Sequence, residues 1–321
     1  MSNKRNSKRV GIFACGNLAL PVIAMLRECN QLGAVIIPDP SELGALYGEA
    51  IHLAQTLQQA QINFFYTTKN KLLNIPELLD NQQIELGLIF TFPHILPSEV
   101  LNYFNGNCYN LHASALPAYS GPCPLYWQIR NQETHTAIAL QKAELKADTG
   151  KVLHAHNLPI DPLDTLQSLG NQISWQAQSV VKEFLDGATL ASTATQLPLP
   201  RDVTQPGVQY ARRPTPNDSA IHFETQTPAE ISAMCRAGAG QPYAATFSIS
   251  GVAIYLLQAT PVNQPCYGTQ PGTVLMVGEP EGLIVATSHG AIRLDILSSI
   301  DGTFSGLAFA ERFGIDAGVK L

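Results

Sequence analysis

The residues best suited to do chemistry stand close together in the middle of the 321-residue chain. Asn110 and His112 are two positions apart at the end of an apolar run. Because side chains alternate along a strand, they should face the same side. An amide N–H and a protonated imidazole can both donate hydrogen bonds to an oxyanion. Further along the chain, Asp148 offers a carboxylate that could accept a proton. These residue types suit a reaction in which negative charge develops on an oxygen.

Each of these residues also has a purely structural interpretation. His112 could be a buried histidine that holds the following loop, and Asp148 could be a turn residue. Three prolines and a glycine within residues 117–124 fix that loop in an irregular conformation. Such a loop is costly to order and is more often kept for a site than for packing. Ser114 is interpreted as support for the loop rather than as a nucleophile, because no Gly-x-Ser-x-Gly elbow surrounds it.

The first ninety residues alternate strand-like apolar runs with amphipathic segments of helix length. The predicted strands are 9–14, 33–37, 62–66 and 86–90, and the predicted helices are 18–29, 48–60 and 72–80. This alternation predicts a Rossmann-like parallel sheet covered by helices on both faces. Ligands of such sheets lie beyond the carboxyl ends of the strands, so the loops after Phe90 and after 108–111 are the predicted site. The first strand lacks a following Gly-x-Gly-x-x-Gly string, which argues against a dinucleotide-dependent dehydrogenase.

A change of pattern after about residue 205 predicts a second domain. Residues 209–218 carry two prolines and two arginines, which is typical of an exposed connection. A predicted helix over 228–239 is followed by short runs of strand formers, separated by Gly and Pro. These runs are 244–249, 252–257, 272–277, 283–286 and 291–296. The pattern favours a small antiparallel β-barrel of the OB-like type. We therefore expect an α/β catalytic domain over 1–205 and a barrel domain over 206–321.

Taken as a set, these motifs resemble the folate-dependent formyltransferases, a family that includes methionyl-tRNA, aminosugar-nucleotide and carrier-bound amino acid enzymes. The central string is Asn110-x-His112-x-Ser114-x-Leu116-Pro117-x-Tyr119-x-Gly121-x-x-Pro124, with Asp148-x-Gly150 following at the spacing that the family uses. The strand and loop from Leu86 to Pro97, which ends in Phe92-Pro-His-Ile-Leu-Pro97, is similar to the family's folate-binding segment. The segment Tyr210-Ala-Arg-Arg-Pro-Thr-Pro216 is similar to the beginning of its C-terminal barrel. Chance agreement at all of these places is implausible.

The resemblance implies transfer of a formyl group from 10-formyltetrahydrofolate to a primary amine, with no metal ion. Asn110 and a protonated His112 would donate to the formyl oxygen as it becomes negative. Asp148 would accept the proton of the attacking amine, directly or through a water. The residues implied to contact folate are Phe90, Phe92, His94, Ile95 and Leu96. The residues implied to contact the substrate from the loop are Ser114, Tyr119, Ser120 and Gly121.

Departures from the family pattern bear on which amine is formylated. Many relatives carry an arginine before the glycine of the loop, whereas this chain has Ser120. Residues 38–48 contain two acidic residues and no basic one, and residues 206–321 contain six Lys+Arg against nine Asp+Glu, a net charge of −3. Since phosphate neutralisation supplies most of the affinity for a nucleic acid, we expect a small amine on a sugar nucleotide or a carrier protein. The alternatives are a methionyl-tRNA formyltransferase and a folate-binding relative without transfer to an acceptor.

The composition of the chain argues against several other classes of protein. The net charge of −6 gives no general attraction to a phosphate backbone or an anionic membrane. No stretch approaches the ~18 apolar residues of a membrane span, and the polar N-terminus lacks the apolar core of a signal peptide. The six cysteines contain no C-x-x-C pair, so we expect reduced thiols in the cytoplasm. His135, His154 and His156 show no matching carboxylate or cysteine in the sequence, and are interpreted as surface or structural residues.

Overall fold

Seven strands form the first sheet, in the spatial order β3-β2-β1-β4-β5-β6-β7. The computed structural model describes residues 8–187, 200, 202, 204–240 and 243–321. The strands are β1 Val10–Ala14, β2 Leu32–Pro38, β3 Phe64–Thr67, β4 Leu86–Phe90, β5 Cys108–His112, β6 His135–Lys142 and β7 Val152–Pro159. Strands β1 to β5 pair in parallel, as the strand–helix alternation predicts. β6 and β7 extend the sheet in antiparallel fashion.

The antiparallel strand β6 supplies a neighbour to the chemistry-bearing strand β5. Its register places Gln141 beside Asn110 and Ala139 beside His112. Six consecutive residues of β6 are buried, so the strand carries none of the polar–apolar alternation that marks a half-exposed strand. For that reason the sequence pattern does not reveal it.

Helices alternate along the sequence with the strands of this first part of the chain. They are α1 Leu20–Glu28, α2 Tyr47–Gln59, α3 Ile75–Asp80, α4 Ser98–Tyr103, α5 Pro124–Arg130 and α6 Leu166–Leu185. The helix predicted from residue 18 begins at Leu20, because Asn17–Ala19 form a turn of 3₁₀ helix and a proline occupies the first turn of α1. Proline fits there because the first turn of a helix leaves its backbone N–H groups unbonded.

Six antiparallel strands form the second sheet. They are β8 Ala245–Ile249, β9 Val252–Val262, β10 Val274–Gly278, β11 Gly282–Ala286, β12 Ala291–Ser299 and β13 Gly302–Ser305. Their order is β10-β11-β12-β9-β8, with β13 paired to β12. The helices of this region are α7 Pro216–Ser219, α8 Pro228–Gly238 and α9 Gly306–Phe313. The predicted class, an α/β fold followed by a small antiparallel barrel-like domain, is confirmed.

Two compact units emerge from the contacts within the chain. The first comprises Met1–Pro124, His135–Pro159 and Leu169–Ala211, and the second comprises Leu125–Thr134, Ile160–Ser168 and Arg212–Leu321. The boundary at residue 205 stays a prediction. Among the described residues, no helix combines the length and the apolar character that crossing a membrane requires.

Candidate active site

Asp148 lies on the connection between β6 and β7. Its φ is +58°, a left-handed conformation in which aspartate is found more often than most residues. A Cβ at Gly150 would overlap the backbone carbonyl of Lys142, so the chain can return this closely only with glycine at that position. The Asp-x-Gly pattern therefore belongs to a tight return of the chain, which sets the Asp148 carboxylate beside β5.

The Asp148 carboxylate is surrounded by donors. Oδ1 accepts hydrogen bonds from Nδ2 of Asn110 at 3.1 Å and from Nε2 of Gln141 at 2.9 Å. Oδ2 accepts one from the backbone N–H of Gly121 at 2.8 Å. Nδ1 of His112 lies 3.4 Å from Oδ1, and the two side chains are 8% and 7% exposed. The structure thus brings together the three residues that the sequence singled out. It buries the imidazole of His112 beside the carboxylate of Asp148.

His112 uses its other ring nitrogen to hold the loop that follows. Nε2 lies 2.9 Å from the backbone oxygen of Tyr119. A carbonyl oxygen can only accept, so Nε2 carries a hydrogen and donates it. The 3.4 Å separation between Nδ1 and Asp148 is longer than an ordinary hydrogen bond. Nδ1 is therefore the less committed of the two nitrogens.

The loop residues Ser114 and Ser120 are both tied to backbone. The fully buried Ser114 donates its hydroxyl to the carbonyl of Ala118 at 2.7 Å. Ser120 donates its hydroxyl to the carbonyl of Gln209 at 2.9 Å. Ser114 thus supports the loop, in line with its structural interpretation.

Residues 208–211 run alongside the loop and pair with it. The N–H of Tyr119 donates to the carbonyl of Val208 at 2.6 Å, and the N–H of Ala211 donates to the carbonyl of Ser120 at 2.5 Å. A further bond joins the N–H of Cys123 to the carbonyl of Ala211 at 2.9 Å. The sequence suggested only an exposed connection here, whereas the segment holds the loop in place.

Gly121 lies where the loop and this segment come closest. Its φ is +109°, and a Cβ at this position would lie 2.9 Å from the Tyr210 ring and 3.0 Å from the carbonyl oxygen of Ala211. Both the conformation and the space demand glycine. The same residue supplies the N–H that binds Asp148, so any shift of its backbone would also disturb that hydrogen bond.

The five residues implied to contact folate fall into two groups. Phe90 and Leu96 are buried, and Phe92 packs edge-on against Phe13 with 5.5 Å between ring centroids. These three side chains mainly build the core. Ile95 is 61% exposed. The half-buried His94 packs against Phe92, and its buried Nε2 has no hydrogen-bond partner in the part of the chain that the structure describes.

The surroundings of His94 also affect its charge. Burial lowers the pKa of His94, Lys69 lowers it further, and Glu42 opposes both effects. A neutral imidazole with a free Nε2 can accept or donate one hydrogen bond according to its tautomer. This imidazole is therefore a polar group of the segment whose hydrogen-bonding capacity is not used by the described residues.

Gln141 is a site residue that the sequence analysis missed. It is 1% exposed, its Nε2 binds Asp148, and its Oε1 is buried without a hydrogen-bond partner among the described residues. Only the pairing of β6 with β5 brings it to the site, so no local pattern could have found it.

A surface groove of about 550 Å³ lies between α1 and α2 and is lined by Ile23, Arg27 and Thr56 among others. It does not include the residues around Asp148.

The interpretation of His154 and His156 as histidines without a carboxylate is wrong. Glu183 of α6 places Oε2 at 2.9 Å from Nε2 of His154 and at 3.1 Å from Nε2 of His156. The carboxylate comes from a helix that packs on the strand, so the sequence separation concealed it.

Comparison with known proteins places both parts of the chain in the same family. Residues 28–185 match the family described as formyl transferase, and residues 213–306 match the formyl transferase C-terminal domain. A methionyl-tRNA formyltransferase of Sorangium cellulosum (strain So ce56) is 32% identical to this chain over 219 residues. That alignment covers 68% of each protein.

Two solved structures share the architecture. HypX from Aquifex aeolicus, solved in complex with tetrahydrofolic acid, gives a TM-score of 0.60 at 15% identity. The match covers 96% of this chain and 48% of HypX, so the chain spans about half the length of that protein. WlaRD, a sugar 3N-formyl transferase solved in the presence of dTDP and 5-N-formyl-THF, gives a TM-score of 0.58 at 19% identity, covering 89% of this chain and 97% of WlaRD. At these identities the likeness shows the fold.

Proposed function

Because the chain belongs to the formyl transferase family, we propose that it transfers a formyl group from 10-formyltetrahydrofolate to the primary amine of a small-molecule or carrier-bound acceptor. The observation that carries this proposal is the Asp148 carboxylate, which accepts hydrogen bonds from Asn110 and from the N–H of Gly121 while facing His112. These groups stand at the end of β5, beyond which ligands of such sheets bind.

Asn110 and His112 are the donors to the formyl oxygen. Asn110 has two amide hydrogens, of which one is used on Asp148, and the second is the donor to the substrate. His112 donates through Nδ1, because its Nε2 hydrogen is committed to the carbonyl of Tyr119. Both donors stabilise the negative charge that develops on the formyl oxygen when the amine attacks the carbonyl carbon. A single donor of this kind typically contributes about 10²–10³ in rate.

Asp148 accepts the proton of the attacking amine, directly or through one water. The new bond joins the amine nitrogen to the formyl carbon, the bond from that carbon to N10 of the folate breaks, and N10 takes up a proton. Atoms and charge balance without any covalent bond to the protein. Hydrogen bonds from Asn110, Gln141 and Gly121 hold the carboxylate in one orientation for this step.

The folate is bound along the segment that follows β4. Phe90, Phe92 and Leu96 shape this segment from the core, while His94 and Ile95 offer their side chains to the pterin. Nε2 of His94, to which no described residue is hydrogen-bonded, suits a polar edge of that ring system. Tyr119 acts through its backbone, and Ser120 acts through both its hydroxyl and its backbone carbonyl.

A small amine is the acceptor that the charges favour. Ser120 stands where many relatives have arginine, and its hydroxyl is already bound to the carbonyl of Gln209. Residues 206–321 carry a net charge of −3, which offers little to a phosphate backbone. The matching relative from Sorangium cellulosum, a methionyl-tRNA formyltransferase, is the observation that supports transfer RNA as a second candidate.

The experiment that tests these proposals supplies 10-formyltetrahydrofolate together with a panel of acceptors. The panel contains aminosugar nucleotides, amino acids bound to carrier proteins, and initiator tRNA charged with methionine. We expect one small-molecule or carrier-bound amine to gain the mass of one formyl group as tetrahydrofolate is released. Formylation of the tRNA alone, weakened steeply by salt, would assign the second function. Folate binding without consumption of any acceptor would contradict transfer.

Variants test the roles of the residues in the same assay. Asn110→Ala and His112→Ala are each expected to lower the rate by at least about 10² while the protein stays folded. His289→Ala, which removes an exposed imidazole elsewhere, is the matched control and should leave the rate unchanged. Full activity in both Asn110→Ala and His112→Ala would reject the assigned roles.

A further inference from the structure

Two histidines and a glutamate outside the candidate active site converge on one point. Nε2 of His154 and Nε2 of His156 are 2.9 Å apart, and Oε2 of Glu183 lies 2.9 Å from the first and 3.1 Å from the second. We propose that these three side chains bind a divalent transition-metal ion, for which Zn²⁺ is the best candidate. Two histidines and one glutamate, completed by water, are a recognised zinc ligand set.

The spacing of the three ligand atoms suits such an ion. Tetrahedral zinc with bonds of about 2.0–2.1 Å separates its ligand atoms by about 3.3 Å. The observed separations of 2.9 to 3.1 Å need to open only slightly to admit it. Neutral imidazole nitrogens and a carboxylate oxygen are donors that zinc, nickel and copper accept. All three ligand atoms lie within reach of one another and of a shared ion.

Hydrogen bonding alone leaves this arrangement poorly satisfied. If both Nε2 atoms carried hydrogens, the two N–H groups would crowd each other as they approach Glu183. If only one did, the lone pair of the other nitrogen would face the carboxylate oxygen at about 3 Å, which is repulsive. A cation at the centre accepts a lone pair from His154, from His156 and from Glu183 at once. The geometry is therefore better explained by a metal site than by a pair of hydrogen bonds.

Gln176 provides support from outside the ligand set. It lies two helical turns before Glu183 on α6, and its side-chain amide contacts Nδ1 of His156. The oxygen and nitrogen of an amide exchange places by a half-turn, so the Gln176 oxygen can accept the Nδ1 hydrogen. That hydrogen bond leaves Nε2 of His156 free of hydrogen and directed to the ion. Metal-binding histidines commonly donate their second ring N–H in this way.

The cluster is separate from the candidate active site. Tyr109 of β5 packs edge-on against Phe184 of α6, with 4.7 Å between ring centroids, so α6 covers the face to which Tyr109 points. The register of β5, β6 and β7 puts His154 on that same face. Asn110, one residue after Tyr109, points to the opposite face. The proposed ion thus takes no part in formyl transfer.

Exposure of the cluster leaves room for water to complete the coordination. The side chain of His154 is 10% exposed and that of Glu183 is 44% exposed. The ion would join the last turns of α6 to β7. Its expected effect is to stabilise the folded protein, because a metal that binds only the native arrangement shifts the folding equilibrium toward it.

The test uses the full chain without an affinity tag, stripped with EDTA and titrated with ZnCl₂ by calorimetry. We expect one Zn²⁺ per chain, with a rise in the melting temperature on binding. His154→Ala and Glu183→Gln are each expected to lose at least about tenfold in zinc affinity. His289→Ala and Glu77→Gln, which alter exposed residues outside the cluster, are the matched controls and should bind zinc as the wild type does. Co²⁺ in place of Zn²⁺ should give the visible absorption of a tetrahedral site.

Glu183→Gln keeps the size of the side chain and therefore tests the site even if removal of an imidazole disturbs β7. Formyl transfer should be unchanged in both cluster variants, which separates this proposal from the proposed function. Equal zinc affinity in the wild type, His154→Ala and Glu183→Gln would overturn the proposal, as would a titration with no saturable binding.

Discussion

The backbone N–H of Gly121 donates to Oδ2 of Asp148 at 2.8 Å, so the loop after β5 and the return between β6 and β7 position each other. Gly121 is also pressed against the Tyr210 ring, on the segment that pairs with the loop. A movement of residues 208–211 would therefore displace Gly121 and, through its N–H, the Asp148 carboxylate. Residues 208–211 thus stabilise the candidate active site without contributing a chemical group to it.

Gly121→Ala is expected to lower both stability and formyl transfer. A φ of +109° is strained for alanine, and the new Cβ would approach the Tyr210 ring and the carbonyl of Ala211 at about 3 Å. Strained backbone conformations of this kind cost about 1–3 kcal/mol each. Thermal unfolding and initial rates measure the two effects. Gly187→Ala is the control, because its φ of +63° is also positive but no described residue lies within 4 Å of the added Cβ. A Gly121→Ala protein no less stable than Gly187→Ala would contradict the close packing described here.

Asp148→Asn is expected to lower kcat by about 10²–10⁴ while the fold is retained, because the proton acceptor is lost. The amide group of asparagine would face the Gln141 amide, but Oε1 of Gln141 is not bonded to any described residue and can turn to accept from it. Circular dichroism and steady-state rates give the two readouts. Asp301→Asn, an exposed residue at the turn before β13, should retain full activity. Wild-type kcat in Asp148→Asn would remove Asp148 from the mechanism.

Local patterns in the sequence predict the parallel part of the first sheet and the convergence of Asn110, His112 and Asp148. The alternation of apolar runs and amphipathic segments predicts the parallel sheet. The spacing of a known motif predicts that the three side chains meet. Gln141 escapes prediction because it reaches Asp148 only through the register of β6 against β5. Glu183 reaches His154 only through the packing of α6. A contact between two segments that are distant in the sequence does not show in the residue pattern of either segment.

A bidentate ion pair in the second compact unit predicts a pH dependence of stability. Burial alone would raise the pKa of Asp218, but hydrogen bonds from Arg212 and Thr215 lower it to about 2. Arg212 Nη1 and Nη2 lie 2.7 and 2.9 Å from the two carboxylate oxygens. The carboxylate of an unfolded chain has a pKa of about 3.9. The ion pair therefore stabilises the folded protein fully above about pH 4. This stabilisation is lost as the pH falls toward 2, because Asp218 is then protonated.

Asp218→Asn is expected to lower the free energy of unfolding by about 1–2 kcal/mol at pH 6, the lower end reflecting screening of the half-exposed Arg212 by water. The difference from the wild type should shrink between pH 4 and pH 2.5. Urea unfolding at several pH values measures it, with Asp301→Asn as the control for loss of an exposed carboxylate. A difference that stays constant from pH 6 to pH 2.5 would show that the Asp218 ion pair contributes nothing specific.

Thiol reactivity should follow burial. Burial raises the pKa of Cys108 and of Cys235 to about 12, whereas Cys29 is exposed. Because the thiolate is the reactive form, iodoacetamide at pH 8 should alkylate Cys29 in the folded protein and leave Cys108 and Cys235 unmodified. Peptide mass spectrometry identifies the modified residues, and the same treatment in urea should label all three. Rapid labelling of Cys108 under native conditions would mean that β5 opens readily, which is incompatible with a strand that holds Asn110 and His112 in a fixed arrangement.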